Sequence, residues 1–193
     1  MSVDCVLGVV IEHDQDETKP VSLEVLNAAR KLADQISGKV VAFCLSQSAN
    51  LDADLFIQHG ADEVHFLTHP DLKHYIHENY TFVLLRQLEK SSFDYLLLPA
   101  TNNGKELSAV LSAQLGVGVA TDCISLSVNG EGNVEAVRPV SSGKAHSTVR
   151  FSGKKPHILS LRPNIFRSPT ISRQGETIEE EAQLPELSTR VQG

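Results

Sequence analysis

Short apolar runs alternate with amphipathic segments along the first 116 residues, and this alternation restricts the fold more than any other feature of the chain. The apolar runs are rich in Val, Ile and Leu, and they lie at residues 3–12, 39–45, 62–67 and 93–98. Segments with apolar residues at helical spacing follow them at 20–36, 50–60, 71–91 and 103–116. Continuous apolar strands are typical of parallel sheets that helices cover on both faces. The order of elements therefore predicts an open, mainly parallel α/β sheet in three layers.

The pattern changes after residue 120. Short strand-like runs separated by glycine-containing turns lie at residues 122–129, 133–140, 145–151 and 157–163. They predict an antiparallel β meander appended to the sheet, with at least one strand extending the sheet. From residue 168 the apolar pattern fades, and prolines and the acidic run 179–181 appear. We therefore expect a folded domain over 1–167 and a linker or disordered acidic tail over 168–193.

Composition and charge narrow the classes of function. The 193-residue chain has a formal net charge of -7, which argues against nucleic acid or an anionic membrane surface as the main partner. Its three cysteines are widely spaced inside apolar runs, which favours free thiols in a reducing compartment over disulfides or a metal site. No apolar run approaches the length of a membrane span, and the N-terminus has no basic segment typical of a signal peptide. We expect a cytoplasmic protein without membrane insertion.

A polar loop, "PATNNGKE" at 99–106, joins the fourth apolar run to the next helical segment. Its Gly-Lys pair suggests a phosphate-binding loop, but Pro99 and Glu106 stand where such a loop needs Gly and Ser or Thr. Asn103 as N-cap with Glu106 three residues later explains the sequence as a capping box. The loop would lie at the carboxyl edge of the sheet, where ligands bind in open α/β folds. A second interpretation is therefore a weak anion or adenine-nucleotide site formed by Thr101, Asn102, Asn103, Gly104 and Lys105.

Basic residues cluster in a predicted hairpin over 136–151, within an otherwise acidic chain. One interpretation is a solvated hairpin. The other is a hairpin that faces a partner or a flavin-bearing domain, because Arg side chains make bidentate contacts. The residues predicted to face the partner are Arg138, Gly143, Lys144 and Arg150. The chain has no Gly-x-Ser-x-Gly elbow and its histidines offer no full ligand set, so we predict no catalytic residue and no metal site.

Four motifs in these segments resemble one family. They are "PATNNGK" at 99–105, an Ala-x-Leu-Gly-Val-Gly stretch leading to Asp-Cys at 113–123, "RPVSSGKAHSTV" at 138–149 and "RPNIF" at 162–166. In this order they resemble the N-terminal domain of the electron transfer flavoprotein alpha subunit, and the resemblance covers residues 3–167.

The resemblance implies an adenine-nucleotide-hydrolase-like α/β fold. It also implies docking to a beta subunit that carries AMP, in a complex that passes electrons from dehydrogenases through FAD to a quinone reductase. In that family a second domain of the alpha subunit holds most of the FAD, and no segment resembling that domain follows residue 167 here. We therefore expect a fragment of a longer subunit, or a stand-alone relative without flavin binding, that is an electron-carrier component with no catalytic site of its own. A processed eukaryotic chain of this kind would lie in the mitochondrial matrix.

Two alternatives stand beside this interpretation. One is a stand-alone adenine-nucleotide-binding module that uses the loop 101–105, as universal-stress-type domains do. The resemblance argues against it, because the corresponding site in alpha subunits is usually empty. The other is a hydrolase of adenine-nucleotide derivatives, for which the sequence offers no recognisable arrangement of base and nucleophile.

Overall fold

A parallel β-sheet runs through the computed structural model, which describes residues 5–185. The strands are β1 (Val6–Ile11), β2 (His13–Asp14), β3 (Glu17–Thr18), β4 (Lys39–Ser46), β5 (Glu63–Thr68), β6 (Tyr95–Pro99), β7 (Val119–Cys123), β8 (Ser125–Val128), β9 (Val134–Val140), β10 (Ala145–Arg150), β11 (His157–Leu161) and β12 (Glu176–Glu181). The helices are α1 (Pro20–Gln35), α2 (Ala53–Gln58), α3 (His77–Lys90) and α4 (Asn102–Leu115). Short 3-10 turns lie at Pro70–Leu72 and Ser141–Gly143.

Within the described residues, the central sheet has seven strands in the order β12-β5-β4-β1-β6-β11-β7, and each pair of neighbours runs parallel. Strand β1 lies in the middle, with β4 on one side and β6 on the other. The direction in which the chain adds strands therefore reverses between β1 and β6. A separate antiparallel sheet has the order β10-β9-β8, and β2 pairs with β3 in a small ribbon. The predicted α/β class with an added meander is confirmed.

Helices cover both faces of the central sheet, as its continuous apolar strands require. In β1, Val9 belongs to the hydrophobic core that contains α1 and α2, whereas Val10 belongs to the opposite core, which contains α3 and α4. In β6, Leu97 belongs to the core that contains α1 and α2, and Leu98 belongs to the core that contains α3 and α4. Successive residues of a strand point to opposite faces, so these assignments confirm the three predicted layers.

Two of the runs after residue 120 contribute strands to the central sheet. Strand β11 lies between β6 and β7 and extends the sheet, as expected. The run predicted at 122–129 begins earlier and divides into β7, which joins the central sheet, and β8, which begins the meander. Ile124 separates the two strands, and Asp122, near the end of β7, has a left-handed backbone with φ of 61° and an amide that donates to Ser160 Oγ at 3.0 Å.

The prediction of a linker or disordered tail is wrong for residues 176–181, which form β12 at the edge of the central sheet. Backbone hydrogen bonds bracket its pairing with β5: Glu176 N donates to Asp62 O at 2.9 Å, and Ala182 N donates to Thr68 O at 2.8 Å. An edge strand needs few buried side chains, so a glutamate-rich sequence is compatible with it.

The segment that leads into β12 is also attached to the fold. Arg173 forms an ion pair with Asp62, and Ile171 N donates to Gln58 O at 2.8 Å. The predicted tail continues over 186–193, which lies outside the described residues, and the domain boundary at 167 stays a prediction. None of the helices within residues 5–185 is both long and apolar enough to cross a membrane.

Candidate functional site

The loop after β6 lies at the carboxyl edge of the central sheet, beside the point where the strand order reverses. Thr101 is the N-cap of α4, and its Oγ1 accepts a hydrogen bond from Gly104 N at 3.1 Å. The capping box predicted from Asn103 and Glu106 is wrong, because α4 begins one residue before Asn103 and the capping oxygen must precede that start. The loop therefore has the position expected of a ligand-binding turn, but Thr101 caps the helix instead of the predicted Asn103.

A carboxylate of the protein itself lies at the start of α4. Glu12 directly follows β1, and Thr101 Oγ1 donates to its Oε1. Lys19 Nζ lies 3.4 Å from Glu12 Oε2, and the glutamate side chain is only 11% exposed. Because the N-terminus of a helix favours negative charge, this carboxylate supplies at the start of α4 a negative charge of the kind that a ligand phosphate would bring.

Close backbone packing explains why a glycine stands at position 104. A Cβ atom built there would lie 1.9 Å from Pro99 O and 3.2 Å from Glu12 Oε1. Any side chain would push the first turn of α4 away from the end of β6. The glycine therefore serves the contact between helix and strand, and this contact explains it without a bound phosphate.

The cavity beside this loop is small, about 30 Å³, and two tyrosines line it. That volume holds about one water molecule, whereas small-molecule sites usually exceed about 300 Å³. Tyr75 Oη donates to Asn103 O at 3.2 Å, and Tyr80 Oη donates to Leu45 O at 3.1 Å. Burial raises the pKa of both tyrosines well above the usual range, so both hydroxyls stay protonated donors.

The structure does not gather the five predicted loop residues around one cavity. Thr101 and Gly104 lie beside Glu12, and of the five residues only Asn103 and Gly104 line the small cavity. Asn102 and Lys105 are exposed. Nucleotide binding at 101–105 therefore stays a prediction.

A larger groove of about 480 Å³ lies between the turn of the β9–β10 hairpin and the ends of β7 and β11. Arg162 donates two hydrogen bonds to Asp122. Its Nη2 donates to Oδ2 at 2.5 Å, and its Nε donates to Oδ1 at 3.1 Å. The hydrogen bond from Arg162 lowers the pKa of Asp122, and the charges of Lys105 and Arg138 lower it further. The groove thus brings several cations to one carboxylate.

The four predicted hairpin residues do not form one patch. Arg138 and Gly143 line the groove, and Lys144 is exposed at the turn. Arg150 is exposed, and its Nε donates to Glu135 Oε1 at 2.8 Å. Arg138 and Arg150 therefore have different surroundings and different partners.

Sequence reasoning missed Asp122 and Arg162 as site residues. Each lies at the carboxyl end of a strand, and those strands, β7 and β11, are neighbours in the central sheet. Both residues also fall inside motifs that carried the family resemblance. Their proximity could have been predicted if both runs had been assigned to the parallel sheet.

The described part of the chain has three cysteines, and its metal-ligating side chains are dispersed. Burial raises the pKa of Cys5 and Cys123 to about 12, so both remain thiols rather than reactive thiolates. Cys44 is fully buried, and its pKa is also raised. Across residues 5–185, no group of three or more His, Cys, Asp and Glu side chains is arranged to hold a metal ion.

A family model and individual relatives place the chain in the same protein family. The family model of the electron transfer flavoprotein domain matches residues 7–185. The chain is 33% identical over 159 residues to protein FixB of Clostridium saccharobutylicum, covering 82% of this chain and 47% of FixB. It is 30% identical over 179 residues to the electron transfer flavoprotein subunit alpha of Megasphaera elsdenii, covering 91% of this chain and 53% of that subunit.

A third relative belongs to a different kind of complex. The chain is 28% identical over 163 residues to the LctC subunit of a lactate dehydrogenase (NAD(+),ferredoxin) from Acetobacterium woodii, covering 84% of this chain and 39% of LctC. The chain thus spans about half the length of the curated relatives it matches, or less. The family model covers nearly all of the described fold, and on this evidence the chain belongs to the electron transfer flavoprotein family, as an N-terminal domain of the alpha-subunit type.

Proposed function

We propose that this chain is the N-terminal docking domain of an electron transfer flavoprotein alpha subunit, and that it associates with a beta subunit. The match of the family model to residues 7–185 carries the proposal. The complete complex would pass electrons from dehydrogenases through FAD to a quinone reductase. In this proposal the chain is an electron-carrier component without its own catalytic site, in the cytoplasm of a bacterium or in a mitochondrial matrix.

The proposed docking surface is the outer part of the β9–β10 hairpin. Strand β10 is an edge strand of its sheet, and Lys144 is exposed at the turn that leads into it. Exposed edge strands and exposed cations are common features of surfaces that other chains contact. A basic hairpin on a chain of net charge -7 would select a beta subunit with an acidic contact surface.

The cofactors of the complex are proposed to lie outside this chain. FAD would be held mainly by a second domain of a complete alpha subunit, and AMP by the beta subunit. The small cavity at the loop after β6, and the carboxylate of Glu12 beside it, support this assignment.

Binding to a cognate beta subunit tests the docking proposal. We expect the chain to form a complex that survives gel filtration, and Lys144→Glu to weaken binding about tenfold, because charge reversal places like charges across the interface. Lys31→Glu, at an exposed residue of α1, is the matched control and should bind as wild type does. If neither this chain nor a full-length alpha subunit binds the beta subunit, the docking proposal is wrong.

A second candidate function is adenine-nucleotide binding by the loop 101–105. Its position at the carboxyl edge beside the reversal of strand order favours this function. Calorimetry with AMP and ATP separates the two candidates. The docking proposal expects no saturable heat at that loop, whereas a binding isotherm that Thr101→Val removes would favour the nucleotide module.

A further inference from the structure

We infer that the groove between the hairpin turn and the ends of β7 and β11 binds a phosphate group, either free or carried by a nucleotide. The inference concerns Arg138, Arg162 and the turn Ser141–Gly143, and it does not rest on the proposed function. Positive charge, an unpartnered arginine nitrogen and local backbone geometry support it independently.

Positive charge exceeds negative charge in this groove. Arg138 and Arg162 line it, and Asp122 is the carboxylate that lies with them. Lys105 at the start of α4 is near enough to act on the same carboxylate. One aspartate cannot neutralise the two arginines that line the groove, so the groove favours an added anion although the chain as a whole is acidic.

The guanidinium of Arg138 has an unused donor. Its Nε atom is buried and has no hydrogen-bond partner among the described residues. Burying such a donor without a partner is unfavourable, and it belongs to a guanidinium on a residue that lines the groove, so an anion bound to that guanidinium would supply an acceptor that the protein does not. Arg162 uses Nε and Nη2 for Asp122, which leaves further N–H groups of its five donors for a ligand.

Unusual backbone conformations concentrate at the same groove. Six non-glycine residues of the described chain have positive φ, and three of them, Asp122, Ser141 and Ser142, line this groove. Gly143 follows with φ of 83°. Residues other than glycine adopt this conformation at a cost in free energy, and such residues cluster where function needs a particular backbone shape.

The donors of this groove suit phosphate better than a carboxylate. Guanidinium groups match phosphate oxygens in a bidentate manner, and the hydroxyls of Ser141 and Ser142 add further donors on the turn. A phosphate group accepts hydrogen bonds around a tetrahedron, whereas a carboxylate accepts them within one plane. The groove volume of about 480 Å³ accommodates a phosphate with part of the molecule that carries it.

Amide chemical shifts of the 193-residue chain test the inference, with inorganic phosphate, AMP and acetate as probes at constant ionic strength. We expect saturable shifts from phosphate centred on Asp122 and Ser141–Gly143. Arg138→Ala should weaken phosphate binding about tenfold or more, since a charge-assisted hydrogen bond is lost. Arg138→Lys keeps the charge but loses the forked donors, and it should weaken binding measurably. This conservative variant decides the test if Arg138→Ala does not fold.

Arg150→Ala is the matched control, because Arg150 lies on the same hairpin but pairs with Glu135 and does not line the groove. It should bind phosphate as wild type does. Equal affinities for AMP and inorganic phosphate would identify free phosphate as sufficient, and a tighter AMP complex would identify a nucleotide. The inference is overturned if phosphate gives no saturable shift, if acetate binds as tightly as phosphate, if both Arg138 variants bind like wild type, or if Arg150→Ala loses as much affinity as they do.

Discussion

Glu12 connects three parts of the molecule that are far apart in sequence. It directly follows β1, its carboxylate accepts from Thr101 at the start of α4, and Lys19 at the start of α1 lies against it. Its backbone is also held, because Ser22 Oγ accepts from Glu12 N at 2.8 Å. A charge at this position therefore stabilises the edge of the sheet where the fold could have bound a ligand.

Glu12→Gln removes this charge and keeps the side-chain shape. We expect the variant to lower the free energy of unfolding by about 1–3 kcal/mol, because it loses a charge-assisted hydrogen bond and a favourable charge at the helix N-terminus. Urea unfolding followed by circular dichroism measures the change. Glu17→Gln, at an exposed residue of β3, is the control and should change stability by less than about 0.5 kcal/mol. Equal stabilities of the two variants would show that Glu12 does not act as described.

Strand β12 shows how an element can form with little help from its side chains. Ile178, its one apolar residue other than the aliphatic part of Thr177, is 39% exposed. Glu180 accepts from Gln87 at 3.1 Å and forms an ion pair with Lys90, so even its side-chain contacts are polar. The backbone pairing with β5 must therefore supply most of the attachment.

Proline substitution at two adjacent residues tests this attachment. Glu176 N and Ala182 N donate to the β5 side, so by alternation Ile178 N points toward β5 and Glu179 N points to solvent. Ile178→Pro should weaken the pairing by about 1–3 kcal/mol, through loss of a ladder hydrogen bond, and should speed tryptic cleavage at Arg173. Glu179→Pro is the matched control, with a much smaller effect. Equal cleavage rates in both variants would contradict the pairing described for β12.

At the scale of the whole molecule, the sequence predicts the parallel sheet best where strands are buried on both faces. The continuous apolar runs at β1, β4, β5 and β6 are short, rich in Val, Ile and Leu, and bounded by polar segments, which is typical of strands buried on both faces. Strand β12 could not be predicted in this way. Its stability comes from backbone hydrogen bonds to β5, which a glutamate-rich sequence does not reveal.

The sequence also predicts some parts of the candidate sites and not others. The location of the loop 101–105 follows from the order of elements, so the sequence predicts it. The carboxylate beside that loop could not be predicted, because Glu12 and Thr101 are 89 residues apart and meet only through sheet topology. The sequence does not predict the groove, because the runs that form β7 and β11 resemble strands of the antiparallel meander, and only their parallel pairing in the central sheet brings Asp122 beside Arg162.

Acidic residues with lowered pKa values connect elements across the whole fold. Burial alone would raise the pKa of Asp62, but hydrogen bonds from Val40 and Arg173 outweigh it, and the pKa is lowered. Burial also opposes the lowering of the pKa of Asp94, and hydrogen bonds from Lys155 and Val6 N, together with the charge of Lys155, outweigh it. The pKa values of Glu63, Asp122 and Glu180 are lowered as well.

These shifts predict the pH dependence of stability. A carboxyl whose pKa is lower in the folded state stabilises the fold above its unfolded-state pKa, and this contribution is lost as pH falls through the folded-state pKa. The free energy of unfolding should therefore decline steeply below the ordinary values of 4.5 for Glu and 3.8 for Asp. His157 contributes at higher pH than the carboxylates do. Burial lowers its pKa, so its protonation favours the unfolded state as pH falls below 6.5. Urea unfolding measured from about pH 7 to about pH 3 checks this profile.

Two variants test which carboxylate is responsible. Asp62→Asn should make the free energy of unfolding decline less steeply in acid, whereas Asp16→Asn, at an exposed residue, should leave the decline unchanged. A free energy of unfolding that stays constant to about pH 3 would show that these carboxylates do not hold the elements together.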